Sequence, residues 1–347
     1  MTRKTIIKTI VALLLITTFA VRGFFVKNPK LVGSTMGTSY SVMISGYVSR
    51  IEQNRLRRIL DAMLAEVNRQ MSTWDADSEI TYFNNLPSTE SFQCSESFAL
   101  VVERALDLSR KTSGAFDPTL QPLLNLWGFG SESEEQKIPT DEEIAAVREM
   151  TGWDKIRVAN GMLSKKWPEL SLDLGAIAKG YGVDALTRFL EKSDHKNWFV
   201  EIGGEVVVQG LNPDGVPWKI GIQHPTTNPM DNRIQGVVHL TKGAVATSGD
   251  YRNYFSENGA VYSHILDPRS GRTVKSPTAS VTVIAPNCTD ADGIATALFV
   301  MGAEEGLRWI EERTDVEAMF LIRGEKGEII EKFSSGFEAA TGYNSHL

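Results

Sequence analysis

The chain has 347 residues, 42% hydrophobic and 23% charged, and a formal net charge of −7. These are the proportions of an ordinary globular protein, long enough for one large domain or two smaller ones. The acidic balance argues against a general nucleic-acid binder, which carries a basic face, and means that any anionic ligand must be met by local positive charge.

The first thirty residues differ from the rest. Arg3, Lys4 and Lys8 precede the apolar run TIVALLLITTFAV at 9–21, and Arg22, Lys27 and Lys30 follow it. A basic n-region followed by an apolar h-region is an export pattern. Counted from Ile6 to Val26 the stretch is just long enough to span a bilayer, with Lys8 and Arg22 snorkelling. No A-x-A site stands out after it, and no Cys sits where a lipid anchor needs one. The expectation is an uncleaved signal anchor over 1–30, cytoplasmic N-terminus, with residues 31–347 as one domain outside; a cleaved secretory peptide is the alternative.

Residues 31–45 alternate and carry Thr, Tyr and Val, which predicts a strand with a turn at Met36-Gly37. Ile51, Leu56, Ile59, Leu60, Leu64 and Val67 predict a helix over 49–69, with Arg50 to Arg58 as a solvated face. Residues 71–85 read as loop, Asp75, Asp77 and Ser78 suiting turns and a cap. A second helix over 95–114 takes Ser95 or Ser97 as N-cap and Gly114 as stop. Pro118 and Pro122 break residues 115–130, a charged exposed loop covers 131–141, and a short helix covers 141–150. The Gly/Ala-rich stretch 171–186 reads as a strand ending at Asp173, a tight turn, and a helix. Further strands are predicted at 197–210 (with Gly203-Gly204 as bulge or turn), 217–225, 236–249 and 280–287. With no short repeat and no long linker, the fold class is α+β, one intertwined domain. Cys94 and Cys288 lie far apart in sequence; they read either as one disulfide of an export compartment or as two packed thiols.

Two stretches carry chemistry. In SLDLGAIAKGYGVDAL (171–186), Gly175, Gly180 and Gly182 leave backbone groups open to a close-fitting group. Asp173 before the turn and Lys179 after it suit a phosphate-bearing ligand and its metal. The same residues also suit a helix packed tightly on a sheet, with Lys179 in solvent. In TDADGIATALFVMG (289–302), Asp292 and Thr296 share one helical face. With a backbone carbonyl from elsewhere they would form an oxygen set for Mg²⁺; alternatively Asp292 caps an ordinary core helix. Five His, two Cys, no C-x-x-C and no H-E-x-x-H disfavour zinc. Trp74 in a polar loop either stacks on a planar ring or belongs to a satellite core. Asp117 before Pro118 presents extended backbone or simply turns. His264, in SHILDPRSGR, is the candidate proton acceptor, although a lone His in a strand is more often structural. TSGDY (247–251) lines a site or turns.

Taken together, MGTSYSV, MSTWDADSEI, GAFDPTLQPLLNLWGFG, LDLGAIAKGYGVD, FVEIGGEV, WKIGI, TSGDYRNYF, HILDPRSG and DADGIATALFVMG resemble the FAD:protein FMN transferase (ApbE) family, in order, from about residue 31 onward. The resemblance implies a mixed sheet-and-helix fold of two related halves. It implies FAD bound with Mg²⁺ and transfer of the FMN moiety to a Thr or Ser of another protein, with AMP released and the flavin held by a phosphoester. By position, the FAD contacts would be Met36, Trp74, Ala115, Phe116, Asp117, Asp173, Lys179 and Ile265. The metal ligands would be the Ala176 carbonyl, Asp292 and Thr296. His264 is the expected base, with Asp292 the fallback, a metal-bound carboxylate being the poorer proton acceptor. The acceptor would carry a motif ending Gly-Ala-Thr or Gly-Ala-Ser, as in a subunit of a membrane redox complex. The location would be the bacterial inner membrane, with the domain on its periplasmic or outer side. Many members begin with a lipoprotein Cys, and this chain does not. Two rivals share the same cradle: a Mg²⁺-dependent FAD pyrophosphatase giving FMN and AMP, and a flavin carrier without turnover.

Overall fold

The computed structural model describes residues 24–345 apart from 134, 227, 229, 230, 232 and 252. The apolar run expected as an anchor lies outside the described residues, and no described helix is long and apolar enough to cross a membrane. Inside the segment assigned to the leader, however, β1 (Phe25–Lys27) already pairs with β4 (Tyr47–Ser49). Phe25 and Val26 prolong the apolar run, which hides this strand from a hydropathy reading.

β2 (Lys30–Thr35) and β3 (Thr38–Ile44) form a hairpin about the Met36-Gly37 turn, where both residues take positive φ. β4 leads directly into α1 (Arg50–Met71), capped by Ser49, whose side chain accepts from Glu52 N. The loop expected through residue 85 contains a helix, α2 (Glu79–Asn84): Ser78 caps it by accepting from Thr81 N. After β5 (Phe92–Gln93), α3 (Glu96–Lys111) starts at Ser95, as the sequence suggested. The stretch broken by prolines holds α4 (Gln121–Trp127), with Pro122 in its first turn, where a missing N–H costs nothing. α5 (Asp141–Arg148) opens on a capping box between Thr140 and Glu143. β6 (Ile156–Ala159) and β7 (Met162–Lys165) complete a small sheet with β5.

No strand forms at 171–173. That segment crosses the core extended but unpaired, and the Asn84 side chain stands in for a neighbouring strand: its Oδ1 accepts from Leu172 N at 2.7 Å and its Nδ2 donates to Leu172 O at 2.9 Å. α6 (Ala178–Glu191) follows the turn. β8 (Trp198–Ile202) and β9 (Glu205–Gln209) flank Gly203-Gly204. β10 (Trp218–Gln223) pairs with β11 (Ile234–Leu240). The single strand expected over 236–249 is two, because the chain leaves β11 at Leu240 and enters another sheet as β12 (Lys242–Gly249). Two small hairpins, β13 (Tyr254–Glu257) with β14 (Ala260–Ser263) and β15 (Leu266–Asp267) with β16 (Arg272–Thr273), precede β17 (Thr278–Ala285). α7 (Cys288–Glu311), β18 (Glu317–Arg323), β19 (Ile329–Phe333), α8 (Phe337–Thr341) and β20 (Asn344–Ser345) end the chain.

The centre is an eight-stranded sheet in the order β19-β18-β17-β12-β9-β8-β3-β2, antiparallel throughout. Both faces are covered. α1, α3, α6 and α7 pack with Val200, Val207, Val281 and Val283 on one. Val206, Val208, Val245 and Ile284 on the other pack against β10, β11 and α8. Alternation puts Val206 and Val207 of one strand in different cores. Every residue of β17 is buried, as a two-sided central strand requires. Cys94 and Cys288 are both buried and unpaired.

Candidate functional site

The Gly/Ala-rich elbow and the late aspartate meet where α6 starts beside α7. Contact this close needs glycine: a Cβ on Gly180 would run into the Cys288 carbonyl and stand 2.8 Å from Asp292 Cβ. The two helices also exchange carboxylates. Gly180 N donates to Asp292 Oδ2 at 2.9 Å, rather than to the Ala176 carbonyl, its acceptor in a continued α-helix. In return Cys288 N and Thr289 N each donate to the Asp184 carboxylate at 2.8 Å. Residues 180 and 184, like 288 and 292, lie one turn apart, so the clasp runs along one seam.

With Oδ2 held, Asp292 Oδ1 faces Lys179 Nζ at 3.8 Å. The half-buried Lys179 side chain reaches Glu205, with its Nζ 2.6 Å from Glu205 Oε1. Glu205 is 1% exposed, and its second oxygen has no partner among the described residues. Two buried carboxylates around one ammonium leave negative charge uncompensated, an arrangement that calls for a cation or a bound donor. Burial raises the Asp292 carboxyl; Lys179 pulls it back down and Glu205 pushes it up again. Thr296, one turn along α7, shares a 2.8 Å hydrogen bond with Ser248 of β12.

These residues fit a hard cation. No three His, Cys, Asp or Glu side chains converge anywhere among the described residues, so carbonyl and hydroxyl oxygens must complete any set built on Asp292. The Ala176 carbonyl, passed over by Gly180 N, and the Thr296 hydroxyl are of the right kind.

His264 lies in a bend between β14 and β15, not in a strand. Its Nδ1 is 3.0 Å from the Asn253 carbonyl, which also accepts His264 N at 3.0 Å. A carbonyl only accepts, so Nδ1 carries the proton and Nε2 presents a lone pair. Burial lowers the imidazole pKa; the Asn253 hydrogen bond raises it, Lys179 lowers it and Asp250 raises it. The ring is thereby a neutral base within the field of Lys179.

The remaining expected contacts divide. Met36 belongs at the elbow: a Cβ on Gly182 would come within 2.9 Å of its Cε. Asp173 N donates to the Pro118 carbonyl at 2.8 Å, joining the AFDP loop to the elbow. The Asp173 carboxylate accepts Gly175 N at 2.9 Å, and burial raises its pKa. Asp117 is committed to the protein: it accepts Thr119 N and Oγ1 at 2.8 and 2.6 Å, and Trp153 N at 3.1 Å. Ala115 and Phe116 are buried in the main core, which leaves backbone as their contact with any ligand. Ile265 is buried beside His264, with its carbonyl accepting Val274 N. Trp74 is 74% exposed, and its backbone N–H donates to Ser72 Oγ at 3.3 Å. Reading the sequence missed Glu205 and Asp184 as site residues. Their signals were the Gly203-Gly204 turn just before Glu205 and the Asp five residues after Lys179.

The ApbE family model matches residues 36–320. A FAD:protein FMN transferase of Vibrio cholerae is 42% identical over 297 residues, 86% of this chain and 88% of that protein. One of Haemophilus influenzae is 39% identical over 318 residues, 90% and 91% of the two chains. Among solved structures, a flavin transferase ApbE from Vibrio cholerae superposes with a TM-score of 0.82 at 41% identity, covering 90% of this chain and 99% of that one. The apo flavinyl transferase ApbE of Pseudomonas stutzeri gives a TM-score of 0.82 at 36% identity, with 92% and 98% covered.

Proposed function

The chain belongs to the ApbE family, and from that premise we propose that it transfers FMN from FAD to a Thr or Ser hydroxyl of an acceptor protein. The observation that carries the reading is the meeting of two remote stretches at one anionic point, with Gly180 N on Asp292 and Lys179 between Asp292 and Glu205. A dinucleotide diphosphate would add negative charge to that point, so Lys179 and a cation held by the carboxylate would neutralise it, with the rest of the elbow backbone close by to orient it.

In the proposed step the acceptor oxygen forms a bond to the FMN phosphorus, the bridging P–O bond breaks, and AMP leaves. His264 Nε2 takes the hydroxyl proton, its tautomer fixed by Asn253. Lys179 holds positive charge at the diphosphate, steadied by Glu205. The elbow backbone, with Met36 beside it and the Pro118–Asp173 link below, orients the dinucleotide. The Ala176 carbonyl, Asp292 and Thr296 would hold Mg²⁺, which when bound neutralises phosphate oxygens and the leaving group. The preferred acceptor is a protein whose motif ends Gly-Ala-Thr or Gly-Ala-Ser, a subunit of a membrane redox complex. The proposed location is the outer side of the bacterial inner membrane, a reading supported by the basic-then-apolar pattern of residues 1–30.

The test is purified protein with FAD, Mg²⁺ and a motif-bearing acceptor, read by in-gel flavin fluorescence, acceptor mass and AMP release. A fluorescent acceptor with one AMP per flavin is the expected result. AMP and free FMN with an unmodified acceptor would make the protein a pyrophosphatase, and FAD bound without AMP a carrier.

A further inference from the structure

Isolated exposed apolar residues are unremarkable, but several at one end of a domain mark an interaction surface. β1 pairs with β4 so that Phe25 faces Ser49 and Lys27 faces Tyr47. These four side chains point to one side of the ribbon and Val26 and Val48 to the other. Val48 is buried in the main core. Outward stand Tyr47, 70% exposed, Phe25, 42% exposed, and, one residue into the adjoining α1, Ile51 at 68%. Ile51, Arg55 and Arg58 recur at i, i+4 and i+7, a single exposed stripe. Arg55 and Arg58 also border a groove of about 820 Å³ between α1 and α6, floored by Ile59, Met63, Val67 and Phe189. Arg188 and Lys192 line it from α6. The acids near this cluster are Glu66 in the groove, Glu52, 3.5 Å from Arg55, and Asp184, one turn before Arg188 on α6 and within its field. In a chain of net charge −7 the sign is locally reversed.

We propose that this face, comprising the outer side of the β1–β4 ribbon, the first turns of α1 and the basic groove beside them, rests on an anionic lipid bilayer. Rings and aliphatic groups mixed with snorkelling Arg and Lys are the composition of a bilayer interface. Clustered basic residues are attracted to an anionic leaflet. The sequence delivers its own argument for lipid over a protein partner: only Arg22 and Gly23 separate the apolar run 9–21 from Phe24. Tyr181 brings one end of the groove close to the elbow, but its basic residues lie toward the other end: Arg188 stands nine residues beyond Lys179 on α6, roughly 14 Å at 1.5 Å per residue.

Because both native cysteines are buried, single nitroxide labels can be placed in the full chain at Tyr47→Cys, Ile51→Cys and, on β19 at the far edge of the sheet, Ile330→Cys. The chain is reconstituted in phosphatidylcholine vesicles with and without phosphatidylglycerol. EPR then compares label collisions with oxygen and with a water-soluble nickel chelate. The oxygen-to-nickel ratio at 47 and 51 should exceed that at 330 severalfold. It should fall toward it without phosphatidylglycerol, or when Arg55, Arg58, Arg188 and Lys192 are all changed to Gln, while FMN transfer to a soluble acceptor is unchanged. Equal ratios at all three positions, or a full chain that does not float with the vesicles, overturn the proposal. Protection of 47 and 51 that requires acceptor protein and not lipid assigns the face to a protein and overturns it equally.

Discussion

His264 shows how a single hydrogen bond decides a side chain's chemistry. With Nδ1–H on the Asn253 carbonyl, only Nε2 can accept a proton, and burial keeps the ring neutral. A lowered imidazole pKa means that protonation, and loss of the base, occurs below the ordinary histidine range. The acid limb of kcat/KM in wild-type protein should therefore fall below pH 6.5, the ordinary imidazole value. His264→Ala should keep FAD affinity, measured by flavin fluorescence, and lose transfer by about 10²- to 10⁴-fold, the usual share of a general base. For Asp292→Ala the expected result is a flat Mg²⁺ titration; undiminished Mg²⁺-stimulated turnover would remove Asp292 from the site. Asp292, Thr296, Lys179 and His264 stood out in the sequence as candidates because each sits in a short run whose residue types already suggest chemistry. Glu205 did not: a Glu following two glycines in a strand pair looks like a turn residue until folding places it against Lys179. The family resemblance offers Asp117 as a ligand contact; its carboxylate accepts from Thr119 and Trp153.

Elements, too, were legible to the extent that their partners were local. α1, α3 and α5 begin at Ser49, Ser95 and Thr140, caps that act within three residues. The segment before the elbow misled for the opposite reason: Leu170, Leu172 and Leu174 are fully buried like a strand, but the backbone partner is the side chain of Asn84, far away in sequence. Lys165 is similarly placed, its Nζ donating to the Phe83, Asn84 and Leu170 carbonyls at 3.1, 2.9 and 3.2 Å. Lys165→Met should cost about 2–4 kcal/mol in denaturant unfolding, since it strands those carbonyls in the interior. The α6–α7 clasp works on the same scale. Asp184→Ala leaves two backbone N–H groups and the Thr289 hydroxyl without their acceptor; the expected loss is about 2–3 kcal/mol. Divalent-ion affinity in the absence of FAD should weaken with it, because α7 carries Asp292. Calorimetric titration with Mn²⁺ checks the second effect, and Asp184→Asn, which keeps one acceptor oxygen, should recover part of both.

At the scale of the molecule, an antiparallel sheet covered on both faces gives the site a rigid floor: β9 supplies Glu205, β12 supplies Ser248, and α6 and α7 lie across that side. The α+β class was readable from strand and helix alternation, whereas the order of strands was not, since β12 pairs with β9 and β17 across long intervals of chain. The protein should not modify itself. Ser113-Gly114-Ala115 is followed by Phe116, which has no hydroxyl and is buried in the core. Mass spectrometry after incubation with FAD and Mg²⁺ alone should show the unmodified chain, and a covalent FMN increment would contradict this. The two thiols have a quieter implication. Cys94 is walled in near the Gly161 carbonyl and Cys288 beneath the Val206 carbonyl, so the fold has no cross-link to gain by oxidation or lose to a reductant. Its melting temperature should be the same with and without dithiothreitol, and the domain can mature on either side of a membrane without the help of a thiol oxidase.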